Sequence, residues 1–308
     1  MPLFFFISGF IGYKANIIWN LRTWLEMSKK KLLILLIPTF VFGLIYAYTY
    51  LHTDFNTFIM DTTKCGYWFT ICLLEMFLII YTLNLIVYNT NSEIFKKRQF
   101  ISIVILSVIL WGLCFNLDYF PHLNKFCKIF SLHKTFDYFP YFAFGYLCSM
   151  NKEFWFKMLE NKVFTFIIIF LFTVVFYINV VYISPNLDSC LIVRIIFWTI
   201  RLIVGFLGLL IVYNTFRVYQ GTFTSDKKIG RSLQYIGKRT LDIYMLHYFF
   251  LPYLPQVGLI LQKGNNAILE LALGLGVSLI VIGACLVVSN ILRTNPILAK
   301  YLFGVKSK

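Results

Sequence analysis

The run Met1-Pro2-Leu3-Phe4-Phe5-Phe6-Ile7-Ser8-Gly9-Phe10 opens the chain, and its reading decides the fold class. No positively charged segment precedes its apolar core, and it carries Pro2 and three successive phenylalanines, so it does not read as a cleavable secretory signal. It reads as the middle of a membrane helix. Ser8, Gly12 and Ala15 recur at helical spacing on one face, which admits a close neighbour. A chain that begins inside such an element is expected to have lost its start.

The remainder has the same character. Of 308 residues, 59% are hydrophobic and 13% charged, with a mean hydropathy of +0.76. A single soluble core cannot hide that much apolar surface. A helix needs about 20 apolar residues to cross the hydrocarbon core. Nine stretches approach that length, at 2–20, 32–51, 67–88, 100–118, 136–150, 163–183, 190–213, 240–261 and 267–292. The fifth is short enough to be tilted, interrupted or extended past its apolar limits. The expected fold is all-α, a polytopic bundle of about nine transmembrane helices forming one domain over 1–308, with no linker, repeat or soluble appendage.

A net charge of +15 would suggest a nucleic-acid partner in a soluble chain, but here membrane topology explains it first. Lys14, Arg22, Lys29 to Lys31, Lys96 to Arg98, Lys152, Lys157, Lys162 and the basic residues from Arg217 to Arg239 lie in the loops after odd-numbered stretches. The C-terminal tail adds Arg293, Lys300, Lys306 and Lys308. The opposite loops hold only Lys64, Lys125, Lys128, Lys134 and Lys263. The positive-inside rule places Met1 outside and Lys308 in the cytoplasm of a cell-membrane protein, and no nucleic-acid partner is expected. The seven cysteines are scattered without C-x-x-C spacing and suggest neither a disulfide framework nor a metal site.

Several short words recur in order along the chain: Pro2-Leu3-Phe4-Phe5 with Ser8-Gly9-Phe10; Lys29-Lys30-Lys31 leading to Leu35 and Pro38; Gly66-Tyr67-Trp68-Phe69; Tyr138-Phe139-Pro140-Tyr141-Phe142 with Gly145-Tyr146; and Ile236-Gly237 with Leu241-Asp242-Ile243-Tyr244-Met245-Leu246-His247. In that order they resemble the acyltransferase-3 family of integral-membrane acyltransferases. The resemblance implies ten helices, so nine crossings with an outside start fit a family member without its first helix. It also implies an arginine followed about ten residues later by a catalytic histidine on that first helix. None of His52, His122, His133 and His247 stands in that context, and the principal base is therefore expected to lie outside this chain.

Polar groups within apolar helices are the remaining candidates, since a charge at the bilayer centre costs about 2.5–3.5 kcal/mol on insertion scales and normally faces protein or water. Arg194, Trp198 and Arg201 recur at i, i+4 and i+7. This stripe suits the phosphates of an acyl donor, or else structural pairing with Glu75. Glu75 is a candidate acid or base, or an anchor for an arginine. His247, one turn after Tyr244, suits proton transfer, and the resemblance carries a histidine at this word; a satisfied core histidine is the plain alternative. Asp242 is expected to answer the helix dipole and Lys238. Lys29, Lys30 and Lys31 are topology determinants that the resemblance also implicates in donor binding. Ser8, Gly9, Phe10, Trp68 and Tyr244 are read as motif or cavity residues, Trp68 also as an interfacial aromatic.

The resemblance implies transfer of an acyl group, acetyl above all, from a cytoplasmic acetyl-CoA or similar acyl-CoA co-substrate to a hydroxyl of a cell-envelope glycan or its lipid-linked precursor, with membrane lipid around it and no bound cofactor or metal. Without the first helix this version is expected to be less stable and inactive unless another residue serves as base. A flippase or transporter of a lipid-linked sugar and a non-catalytic fragment are the alternatives.

Overall fold

The computed structural model describes residues 1–114, 121–183, 191–252, 258 and 266–304, and among these all regular structure is helical. In order come α1 (Pro2–Gly12), α2 (Leu21–Thr49), α3 (Phe55–Met60), α4 (Trp68–Val87), α5 (Ser92–Cys114), α6 (Pro121–Ile129), α7 (Leu132–Met150), α8 (Lys152–Glu160), α9 (Lys162–Ile178), α10 (Leu191–Val218), α11 (Lys228–Lys238), α12 (Thr240–Phe250), α13 (Ala267–Arg293) and α14 (Pro296–Phe303). A π-turn, Asn179–Ile183, continues α9.

Six of these, α2, α4, α5, α9, α10 and α13, are long and apolar enough to cross a membrane. The chain is a multi-pass, all-α membrane protein. Among the described residues, three of the nine expected stretches do not form helices of that length, for local reasons. The first stretch is helical only over Pro2–Gly12, because Tyr13 turns extended and Asn16 takes a left-handed backbone. The fifth does extend past its apolar limits, back to Leu132, but the added residues include His133, Lys134 and Asp137. The eighth stops at Phe250, since Pro252 disfavours helical geometry at Leu251, which is extended. Most of 251–265 lies outside the described residues.

The helices group into two compact units interleaved along the chain. One comprises Met1–Trp19, Thr82–Asn116 and Lys134–Leu233; the other comprises Asn20–Tyr81, Leu117–His133 and Gln234–Lys308. α4 and α11 each contribute to both. α4 is the most internal long helix, with 56% of its apolar window buried against 6% for α9. The side chains of α9 face outward, as expected where lipid is the solvent.

In the first unit, α1 crosses α7 at paired glycines. A Cβ on Gly9 would lie 2.0 Å from the Phe142 carbonyl oxygen, and one on Gly145 would lie 2.0 Å from that of Phe6. Backbones meet at this point, as small residues permit in membrane bundles. The close approach is at Gly9, not on the Ser8, Gly12 and Ala15 face, because the helix has ended before Ala15. Around it Phe5 stacks on Tyr138 at 5.2 Å and Phe6 meets Tyr213 edge-on at 5.5 Å.

The second unit is cored by Phe42, Tyr67, Met245, Leu246, Val281, Cys285, Leu302 and Phe303. Beside that core, Asp242 is 1% exposed. Its carboxylate accepts two parallel bonds from Arg293, Nε to Oδ2 at 2.8 Å and Nη2 to Oδ1 at 2.9 Å, and a third from the Ser289 hydroxyl. Arg239 adds a longer contact at 3.4 Å. Asp242 is thus partnered most closely by residues 47 and 51 positions away, with Arg239 more distant, and not by Lys238.

Candidate functional site

The second unit assembles a tyrosine cage around the start of α4. Lys64, Cys65 and Gly66 all take positive φ, at 48°, 52° and 101°, a conformation that L-residues avoid. The turn is held by its own polar groups. Lys64 is 1% exposed, and its ammonium donates to the carbonyls of Ile59, Asp61 and Lys128 at 2.6, 2.7 and 2.8 Å. Burial pushes the Lys64 pKa down, and the charges of Asp61 and Glu75 oppose that shift. Burial alone would raise Asp61. Donation from the Thr63 hydroxyl and from the N–H groups of Cys65 and Thr63, with the charge of Lys64, outweighs it and leaves the carboxyl below its usual range.

This turn aims the Gly66 carbonyl at α12. Tyr244 donates its hydroxyl proton to that oxygen at 2.8 Å and accepts the Phe69 N–H at 3.2 Å. Tyr248 reaches the same oxygen at 3.3 Å, and a Cβ on Gly66 would overlap the Tyr248 ring. Tyr67 in turn donates to the Met245 carbonyl at 2.9 Å. Tyr244 therefore fills an orphan N–H at the start of α4, and Trp68, half-buried, opens that helix.

His247 lies on α12 inside this cage, half-buried, with its ring centroid 4.0 Å from that of Tyr248 and 5.8 Å from that of Tyr244. Its Nδ1 is 2.8 Å from the Tyr244 carbonyl oxygen. A carbonyl only accepts, so Nδ1 carries the proton and the neutral ring keeps its lone pair on Nε2. Among the described residues Nε2 has no hydrogen-bond partner. The geometry is that of a base whose tautomer is set by the backbone.

The other candidates are dispersed. Glu75 lies half-buried on α4 in the second unit, its charge felt by Lys64. Lys29, Lys30 and Lys31 are not in a loop but within α2, where successive residues turn about 100° apart. Lys29 and Lys30 are exposed, while the Lys31 ammonium sits 3.6 Å from the centroid of the Phe77 ring. Arg22 is held by Glu26 at 3.0 Å.

In the first unit, Arg201 lies over the Trp198 ring at 4.5 Å and pairs with Asp137 at 3.5 Å. That carboxylate is on α7. Arg194 is on the same helix α10, and its side chain lies outside the described residues. Ser8 is half-buried; Phe10 packs on Tyr213 at 6.0 Å.

Sequence reasoning passed over a second polar cluster because none of its members is ionisable at neutral pH. Gln99 donates to Asn84 Oδ1 at 2.7 Å and to the Tyr146 hydroxyl at 3.2 Å, and Asn84 donates to that hydroxyl at 2.9 Å. The signal was present as amides inside apolar runs.

These features define a multi-pass helical membrane protein with a cage-held histidine. A family model described as an acyltransferase domain matches residues 1–287, and the chain belongs to the acyltransferase-3 family. No curated protein and no solved structure matches it.

Proposed function

We propose that this membrane acyltransferase moves an acetyl group from a cytoplasmic acetyl-CoA, or a similar acyl-CoA, to a hydroxyl of a cell-envelope glycan or its lipid-linked precursor. The observation that carries the reading is His247, with Nδ1–H committed to the Tyr244 carbonyl and Nε2 left to accept a proton. Aromatic rings suit the apolar faces of a sugar. In the proposed step Nε2 takes the proton of the acceptor hydroxyl as its oxygen attacks the thioester carbonyl carbon. A C–O bond forms, the C–S bond breaks, and the imidazolium returns its proton to the departing thiolate. The C-terminus and donor side are cytoplasmic in this reading.

The test is transfer of labelled acetyl from acetyl-CoA to envelope glycans in cells of matched expression. His247→Gln is expected to lower kcat by about 100-fold or more, the usual contribution of a positioned base, with little change in the KM of the donor. Full activity in His247→Gln would remove it as the base. Silence in the unmodified chain would remove His247 as a sufficient base and leave the inactive-version, transport and accessory readings.

A further inference from the structure

The first unit holds the end of α10 and the start of α11 side by side. The apolar segment of α10 runs Ile195–Val218, 24 residues, or about 36 Å at 1.5 Å per residue against a hydrocarbon core of about 30 Å. Val218 therefore lies at or just past one edge of the hydrocarbon. Tyr219 follows it, exposed, where a membrane interface favours an aromatic. The chain then stays at that level. The Phe223 ring lies 5.0 Å from the ring of Phe216 on α10, and a Cβ on Gly230 of α11 would lie 2.1 Å from the Thr224 carbonyl oxygen. The start of α11 is thus pinned beside the end of a helix long enough to cross the membrane.

α11 has two unlike faces. Ile229 and Leu233 stand one above the other at i and i+4, and Ile236 continues the row. Arg231 and Lys238 share the opposite face, with Lys228 at its border. The apolar row is uncovered at its start, where Ile229 is 64% and Leu233 43% exposed. That matters for a helix of 11 residues containing Gly230 and Gly237. Helices shorter than about 12–15 residues are marginal in water, and glycine weakens them further, so this one depends on packing its apolar row.

Charge indicates what it packs on. Of the six basic residues between 217 and 239, Lys227, Lys228, Arg231 and Lys238 are exposed, and the one acid in that interval is Asp226. An apolar row backed by a basic face is the pattern of a helix lying in the plane of a membrane surface. A helix is about 10 Å across, so even its far face stays near the Debye length of about 8 Å from the headgroups.

We infer that α11 is a docking surface for anionic phospholipid, with Ile229 and Leu233 in the boundary between headgroups and acyl chains and the basic residues drawn to the headgroup charge. The inference is independent of the acyl-transfer reading.

The test takes the full chain, purified and reconstituted into vesicles of phosphatidylcholine alone or of phosphatidylcholine with phosphatidylglycerol, and reads amide hydrogen exchange over residues 228–238. Exchange is expected to be about tenfold slower in the anionic vesicles. The difference should collapse when Lys227→Gln, Lys228→Gln and Arg231→Gln are combined, and should shrink as salt is raised. Ile229→Asn with Leu233→Asn should speed exchange in both vesicle types. A second readout tells lipid from protein: Leu233→Trp, at an exposed position, is expected to add fluorescence that acyl-chain-brominated phospholipid quenches, beyond the signal of the chain's own six tryptophans. Rapid exchange in both vesicle types would overturn the inference. Slow exchange in both without quenching at position 233 would also do so, because another part of the protein or a second copy would then cover the face. Quenching that ignores lipid charge and the three basic substitutions would overturn the choice of an anionic lipid.

Discussion

Asp242 and Gln99 are equally buried, each 1% exposed, and in opposite condition. The carboxylate of Asp242 meets Arg293, Ser289 and Arg239, so the charge removed from water is returned in kind. The amide of Gln99 is satisfied on one side only. A closed network specifies a fold, because its members fit one another and nothing else. An open one leaves part of the cost of burial unrecovered. The difference separates a closed polar centre from an incompletely closed one.

Removing the Asp242 carboxylate is expected to have the largest effect. Asp242→Ala leaves two guanidinium groups near an apolar core, and should cost about 3–5 kcal/mol, seen as a large drop in the temperature at which the protein leaves solution in detergent. The comparison sharpens when the whole cluster is made apolar: Asp242→Leu with Arg239→Met and Arg293→Met should recover most of that loss, to within about 2 kcal/mol. A triple variant as weak as the single one would show that the cluster does more than neutralise itself.

On the open side the expected losses are smaller. Asn84→Leu removes the shorter of the two Gln99 bonds and one donor to the Tyr146 hydroxyl, at about 2 kcal/mol, and Gln99→Met, which also removes the unpartnered amide oxygen, should cost about 1 kcal/mol. Equal losses at Gln99 and Asp242 would erase the contrast.

The smallest effect is pH-dependent. The folded-state pKa of Asp61 lies below its usual value near 3.8. Its contribution is therefore present above that value and is lost as the pH falls through the lower, folded one. Asp61→Asn should differ from the unmodified chain by about 0.5 kcal/mol near neutrality, and the gap should close below pH 3.8. A gap that widened on acidification would reverse the assignment.

What was legible in the sequence follows the range of the interaction. Apolar runs name long helices, so α2, α4, α5, α9, α10 and α13 were readable; the eighth run was read through Pro252 as one crossing, whereas the helix ends at Phe250. Ordered short words were enough for the family. Partners were not readable: Asp242 looked toward Lys238, four residues away, and met Arg293, and the pairing of Arg201 with Asp137 was not foreseen. Contacts of that kind depend on how helices pack, which periodicity does not encode. The Lys29 to Lys31 run, compact in sequence, becomes a fan around a helix. The amides of Asn84 and Gln99 carry no charge to mark them, although a membrane penalises any polar group that lacks a partner.

The turn at Lys64, Cys65 and Gly66 has a consequence for biosynthesis. Its lysine bonds reach no further than residue 128, but the phenols that hold the Gly66 carbonyl come from residues 244 and 248. A chain emerging from the ribosome presents the left-handed turn long before those phenols exist. The start of α4, the most internal of the long helices, therefore stays unfinished until residue 248 has been translated. A nascent chain stalled before residue 244 should expose that turn to protease, and one released after residue 248 should protect it.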